Sequence, residues 1–442
     1  MIENRLDGPP KSILILGAYG FIGSAIAHEL AAAGHLITGF GRNLSYGRSI
    51  LPQIKWHEGD LSRYCDPQSW SSILRNIDIV INASGILQSG PSDDVNITQT
   101  KAIIALIEAS ESSGTSQFIQ ISACGASIDA AHDFMQSKGR TDLRLGESPI
   151  NATILRPGLV IGRNSYGGTE LIRMIAAMPF FAPQLNGFGH IQCVALPDVV
   201  EAVERAIDQP AALSGSYDLV EAEARPVDQI IAQHRKWLGF DNTGWQFPVG
   251  RNLTGIAAWG SDILGWFGWR SPMRSNTIQS LRDGVQGDAG QADLILGRPA
   301  ITLEQILSGF PAGKQDRIHA QLMLGLPLFL AMLIFLWLGS GLLGIWKADE
   351  AAALLGRTSL SPVIALAMVW GGAMADLALG FGLIFRKSVR AALAGTIAMS
   401  LAYLVGGTIL TPLLWLDPLA PLIKALASIG LSMTCLIALD KR

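Results

Sequence analysis

The sequence predicts two regions suited to different solvents. The first is a doubly wound parallel α/β sheet over residues 1–240, and the second an all-helical domain of four transmembrane spans over 318–442; a helical stretch at 241–317 joins them. Three observations predict this. Short Ile- and Val-rich runs alternate with helical stretches through the first half, as strand–helix–strand units of a sheet covered on both faces do. Gly17, Gly20 and Gly23 stand between the first such run and the first helical stretch, which is where a Rossmann-type fold carries them. From about residue 320 the chain turns apolar for lengths that cross the ~30 Å of a bilayer's hydrocarbon.

Composition sets the outer limits. Charged residues are 16% of the 442 positions, against about a quarter in an ordinary soluble protein. The formal net charge is −3, so no basic excess points to nucleic acid as a partner. Cys65, Cys124, Cys193 and Cys435 are scattered. That argues against a disulfide framework or a zinc site, no metal is expected, and a reducing compartment fits. The opening residues MIENRLDGPPKS have acidic groups and no apolar core, so they do not read as a secretory signal.

Element by element, the runs SILILG, HLITGF, IKWHEG, DIVINAS, SQFIQIS and NATILRPGLVI read as strands. Between them FIGSAIAHELAAAG and ITQTKAIIALIEASESSG read as helices, each closing on a glycine able to cap it. In the turn Gly17-Ala18-Tyr19-Gly20-Phe21-Ile22-Gly23, Gly17 permits a tight bend. Gly20 lets backbone approach a diphosphate, and Gly23 lets the helix pack close to the sheet. Free N–H groups and the helix dipole would attract the phosphates there.

The second strand ends in GFGRN. An NAD-type site usually carries an acidic residue here, about twenty positions after the glycines. This chain has Arg42 instead, whose guanidinium matches a 2′-phosphate, so NADP(H) is expected over NAD(H), which stays open. The plainer account makes Arg42 a surface residue stacked on adenine. Asp60 and Leu61 in EGDL are placed for the adenine edge. Asn82, Ala83, Ser84 and Gly85 are placed for a ribose edge. Each of these also reads as an ordinary loop cap.

Taken together, GAYGFIG, GDL, NASG, FIQISACGA, Lys138 in QSKGRTDLRL and ILRPGLVIG resemble the extended and atypical short-chain dehydrogenase/reductases. The likeness is nearest to the NmrA-like group and to the NAD(P)H-binding accessory subunit of respiratory complex I. In catalytic members a tyrosine moves the proton, a lysine lowers its pKa and holds the nicotinamide ribose, and a serine orients the carbonyl. The resemblance places Lys138 at the lysine and Ser122 near the serine, with Ala123 and Cys124 where a second hydroxyl is usual. Phe134 falls on the tyrosine, and a phenyl ring has no proton to give. Lys138 alone also reads as a solvated helix lysine. His132, beside Asp133, and Tyr166 are alternative donors, although an exposed loop histidine is the blander account. Arg156 either lines a substrate cleft or pairs with a carboxylate such as Asp198.

The C-terminal region is similar to the DoxX-like membrane family. Its spans read as 322–346, 361–385, 391–415 and 419–439. Lys314, Arg317, Arg386, Lys387, Arg390, Lys441 and Arg442 fall on one side, with Lys347 and Arg357 on the other. The first side is therefore expected to be cytoplasmic, in a bacterial inner membrane. Asp376 lies inside the second span, with Lys424 as a candidate partner, and reads as a structural pin or as a proton- or quinone-related group. Gly372, Asp376 and Gly380 share a face. In 241–317, Trp259, Trp266 and Trp269 with Ile263, Leu264 and Phe267 sit near one helical face. That face is either packed inward or seated at the bilayer surface. The function expected is a membrane-anchored oxidoreductase on a lipophilic carbonyl or quinone. The alternative is a non-catalytic NADP(H)-binding module for membrane-complex assembly or redox sensing, with an oligomeric or complex partner.

Overall fold

A computed structural model describes residues 9–86, 89–90, 94–179, 181–185, 187–240, 246–269, 271–355, 360–418 and 420–439. Arg357, Lys441 and Arg442, which bear on orientation, lie outside them. The chain divides into two compact units, Met1–Asp262 with Ser271–Arg317, and Ile263–Arg270 with Ile318–Arg442.

The first unit is built on seven strands: β1 Ser12–Leu16, β2 Leu36–Gly41, β3 Lys55–Glu58, β4 Ile79–Asn82, β5 Gln117–Ile121, β6 Asn151–Pro157 and β7 Gly215–Leu219. They form one sheet in the order β7-β6-β5-β4-β1-β2-β3, and every pairing is parallel. The chain first builds outward from β1 through β2 to β3. It then crosses to the other side of β1 to lay down β4, so the carboxyl ends of β1 and β4 flank the switch point where such sheets bind ligands.

Successive side chains of a strand face opposite ways, and both faces are covered. Ile13 and Ile15 join one core with Ile26 and Leu30 of helix α1 (Phe21–Ala33). Leu14 and Leu16 join the other core with Ile103 and Leu106 of helix α2 (Ala102–Ser113). Double burial explains the apolar runs of β1, β2, β4, β5 and β6, whereas β3, KWHE at one edge of the sheet, holds no buried residue. The seventh, GSYDL, carries no apolar run and gives no strand signal in the sequence. It lies at the sheet edge, partly exposed. Helix α1 stops at Gly34, whose φ of 104° is left-handed and costs glycine nothing. Helices α3 (Asp133–Gly146) and α4 (Leu196–Asp208) complete the layers, and α5 (Arg251–Trp266) and α6 (Ser275–Asp283) come next.

Among the described residues, four helices are long and apolar enough to cross a membrane: α7 Lys314–Trp346, α8 Pro362–Ile384, α9 Val389–Leu410 and α10 Pro421–Ala438. A short helix at Ala348–Leu355, without a clear signal in the sequence, separates the first two. The third ends before Pro412, which opens a 3₁₀ turn, rather than running to residue 415. Small residues let the helices close up. A Cβ on Gly380 would stand 2.6 Å from Leu338, and one on Gly372 3.0 Å from the Tyr403 hydroxyl. The glycine face thus receives α7 at one end and α9 at the other. Asp376 is 2% exposed and accepts from Ser340 Oγ at 2.6 Å and Tyr403 Oη at 2.7 Å. Lys424 is not its partner. It is exposed in the first turn of α10, while Asp376 lies nearly four turns into α8.

Candidate dinucleotide site

The glycine turn is tighter than its motif alone says. Gly17 has φ of 74°, and a Cβ there would meet Ala83 O at 2.7 Å, so the turn is pressed against the chain leaving β4. A Cβ on Gly23 would lie 2.2 Å from Gly17 O: the helix leans on its own preceding turn as well as on the sheet. Gly20 N–H donates to Gly17 O at 2.8 Å. As the N-cap of α1, Gly20 offers no side chain to the first-turn amides, and no acidic residue stands in that turn. The N-terminus of α1 is therefore open to an anion.

Tyr19 settles the geometry beside it. Its ring stacks on Trp56 at 5.8 Å, and its hydroxyl accepts the Arg42 backbone N–H at 3.1 Å. Gly41 makes room, since a Cβ there would come within 2.3 Å of that ring. The end of β2 is thus held against the glycine turn with the Arg42 side chain on the surface. Asp60 serves as a cap, accepting Ser62 N–H at 3.1 Å, and Leu61 leans on the second core. Asn82 donates to Gln120 at 2.8 Å and accepts from the Ser84 amide and hydroxyl. This fixes the Ala83-Ser84-Gly85 strip beside Gly17.

Lys138 is not a solvated helix lysine. It is 4% exposed, and Nζ donates to Ser84 O at 3.1 Å and Ile121 O at 2.9 Å, tying α3 to the ends of β4 and β5. An ammonium has three donors, so one remains beyond these two. Burial lowers its pKa to about 8, against an opposing pull from Asp142. Asp142, one turn further along α3, was missed from the sequence, although the spacing of four from Lys138 puts both on one helix face. Its Oδ2 accepts from Ser122 Oγ at 2.7 Å and from Arg156 Nε at 3.0 Å, while Oδ1 is buried without a partner. Burial raises its pKa, and Ser122, Arg156 and Lys138 oppose the rise.

Ser122 is therefore committed inward, and Arg156 pairs with Asp142; Asp198 is taken instead by Arg298 at 2.8 Å. Cys124 is buried, donates to Arg156 O, and has its thiol pushed up to about 12 by burial, so it is no nucleophile. Phe134 occupies the first turn of α3, half-buried. His132 caps that helix and meets Asp283 of α6 at 3.2 Å, not its neighbour Asp133. Tyr166 stands exposed in a loop. A cavity of about 380 Å³ opens between α5 and α6, walled by His132, Trp259, Asp262, Asn276, Gln279 and Arg282.

Residues 17–174 match the NAD(P)H-binding family and residues 334–433 the DoxX-like family. The chain is 22% identical over 176 residues to an uncharacterized chloroplastic protein of Arabidopsis thaliana, covering 38% of this chain and 57% of that one. It is 24% identical over 218 residues to the same plant's mitochondrial NADH dehydrogenase (ubiquinone) 1 alpha subcomplex subunit 9, covering 46% and 52%. The chain thus spans about half the length of the curated relatives it matches. Among solved structures it is similar to UDP-glucuronic acid 4-epimerase from Bacillus cereus, in complex with UDP-glucuronic acid and NAD, with TM-score 0.50 and 16% identity over 67% of this chain and 96% of that one. UDP-glucose 4-epimerase from Thermotoga maritima gives TM-score 0.50 and 18% identity over the same shares, 67% and 96%. Residues 17–174 thus form a domain similar to the NAD(P)H-binding family, with the fold of these epimerases. The chain joins it to a DoxX-like membrane domain.

Proposed function

We propose that the protein is a membrane-anchored oxidoreductase that prefers NADP(H) to NAD(H) and acts on a lipophilic carbonyl or quinone-like substrate at the cytoplasmic face of a bacterial inner membrane. One observation supports this above the others: Lys138 is buried and tethered to Ser84 O and Ile121 O, beside the glycine turn, with a donor to spare. Gly17–Gly23 would hold the diphosphate and Arg42 the 2′-phosphate. Asp60 and Leu61 would meet the adenine edge, Ala83–Gly85 the ribose edge, and Lys138 the nicotinamide ribose. When bound, the dinucleotide supplies or accepts hydride. Lys138 would orient that ribose, and Asp142 would hold Ser122 and Arg156 in place behind it. Phe134 has no proton to deliver, so a quinone-like acceptor, able to take its proton from water, suits the site better than a simple ketone. The cavity at His132 and Trp259 is the candidate place for such a substrate.

Two observations favour a second reading, a binding module that assembles with a membrane partner. Phe134 lacks the hydroxyl, and the Ser122 hydroxyl is already spent on Asp142. NADPH absorbance with the purified, lipid-embedded protein and a panel of quinones and lipid aldehydes separates the two. Oxidation with at least one of them is expected, and binding without turnover across the panel transfers the case to the module. For cofactor choice, Arg42→Ala is expected to weaken NADPH by about tenfold or more while leaving NADH unchanged. Equal affinity of the wild type for both cofactors refutes the preference. Orientation rests on Arg386, Lys387 and Arg390 between the second and third spans, and a reporter inserted after Lys387 should report the cytoplasmic side.

A further inference from the structure

Helix α5 has two unlike faces. Thr254 and Ala258 are buried on one, and Asp262 accepts there from Arg274 Nε and the Ser275 amide. On the other, Ile256 is 66% exposed, Trp259 68%, Ile263 39% and Trp266 75%. At about 100° per residue these four fall within about 80° of one another along about 15 Å of helix. An uncharged strip with two indoles on the surface is a costly thing to leave in water, at roughly 25 cal/mol per Å².

The residues just beyond α5 indicate which solvent the strip meets. The Trp269 indole donates to Ile384 O at 2.7 Å, and Arg386 N–H donates to Phe267 O at 3.0 Å. The Phe267 ring meets Phe385 edge-on at 5.4 Å, and the Arg386 guanidinium lies 5.8 Å from the Trp269 ring centre. All of these contacts are with the last residues of span α8 and the turn beyond it. A span that ends in arginine and tryptophan ends at the membrane–water boundary. The chain leaving α5 is therefore fixed at that depth. The three tryptophans do not share one face as the sequence suggested: α5 stops at Trp266, and Trp269 turns into the bundle core.

We propose that the end of α5 lies in the interface of the bilayer, with Ile263 and Trp266 seated among lipid headgroups and upper acyl chains. The occupant of this face is lipid. Lipid seating of α5 stands without the nucleotide reading, and it is tested without turnover.

The test uses the full chain in lipid nanodiscs. Cys65, the exposed cysteine among those described, is replaced by serine. Single cysteines at Ile263 and Trp266 are labelled with an environment-sensitive fluorophore, and a label at Arg48, exposed in the nucleotide unit, serves as reference. The expected result is blue-shifted emission at 263 and 266. Quenching there by doxyl-labelled lipid should be roughly threefold or more above that at 48, with iodide quenching correspondingly weak. Iodide access equal to that at 48 overturns the proposal. Protection from both quenchers, as a second copy of the chain on this face would give, overturns it too. Calorimetry with NADPH on the same samples reports the nucleotide reading separately.

Discussion

The two units solve burial in opposite directions. In the nucleotide unit the large apolar side chains are inside: Ile13, Leu14, Ile15 and Leu16 of β1 are fully buried. Among its buried polar groups, Lys138, Asp142, Ser122, Asn82 and Gln120 tie strand ends to α3, and the Arg225–Glu221 ion pair is buried apart from them. In the membrane unit large apolar side chains such as Phe335, Ile409 and Ile437 face outward. The interior there holds small and hydroxylated residues, with Thr396 paired to Ser432, Ser400 to Ser428, and Asp376 to Ser340 and Tyr403. Water drives the first arrangement. In lipid no such drive exists between helices, so close packing and hydrogen bonds take over. The buried cluster around Lys138 thus stands beside the glycine turn, whereas the buried polar groups of the second unit are part of the glue.

The largest expected effect that could break this contrast comes from Gly23→Val. A side chain at a point 2.2 Å from Gly17 O forces the turn open. NADPH affinity should fall by about a hundredfold or more, with about 1–3 kcal/mol lost from the nucleotide unit alone. Calorimetry and circular dichroism read the two effects, and unchanged affinity would put the nucleotide elsewhere.

Lys138→Met comes next and is read through pH. The folded pKa of about 8 lies below the 10.5 of a free lysine, so between these values the unfolded chain holds the extra proton. Stability contributed by this group is therefore low below pH 8 and rises as pH climbs towards 10.5, by about 3 kcal/mol in all. Wild type should gain on the methionine variant across that window in unfolding experiments. Parallel pH profiles would mean that Lys138 is not buried as a base.

The smallest effect is expected in lipid. Asp376→Leu strands the Ser340 and Tyr403 hydroxyls and should cost about 1–2 kcal/mol. Adding Tyr403→Phe should recover part of it. A loss well above that range would move Asp376 from glue to site and erase the contrast between the units.

Legibility in the sequence obeys the same physics. Strands buried on both faces announce themselves as apolar runs, and spans do so by length. The edge strand Gly215–Leu219, half wet and polar, does not. The glycine turn is readable because its residues are adjacent in the chain. Tyr19 over Gly41, and Asp142 behind Lys138 and Ser122, depend on how separate elements meet. Asp376 is visible as a charge in an apolar run, but its partner is not. Lys424 looks near enough by composition, and only the start of α10 at Pro421 shows that its depth is wrong.

The central claim is that the turn from Gly17 to Gly23 holds a pyridine dinucleotide. Isothermal titration of the intact protein in nanodiscs with NADPH and then NADH tests it most directly. The account predicts saturable heat with NADPH, weaker heat with NADH, and none with a folded Gly23→Val variant. A properly folded wild-type protein that gives no heat with either dinucleotide contradicts it.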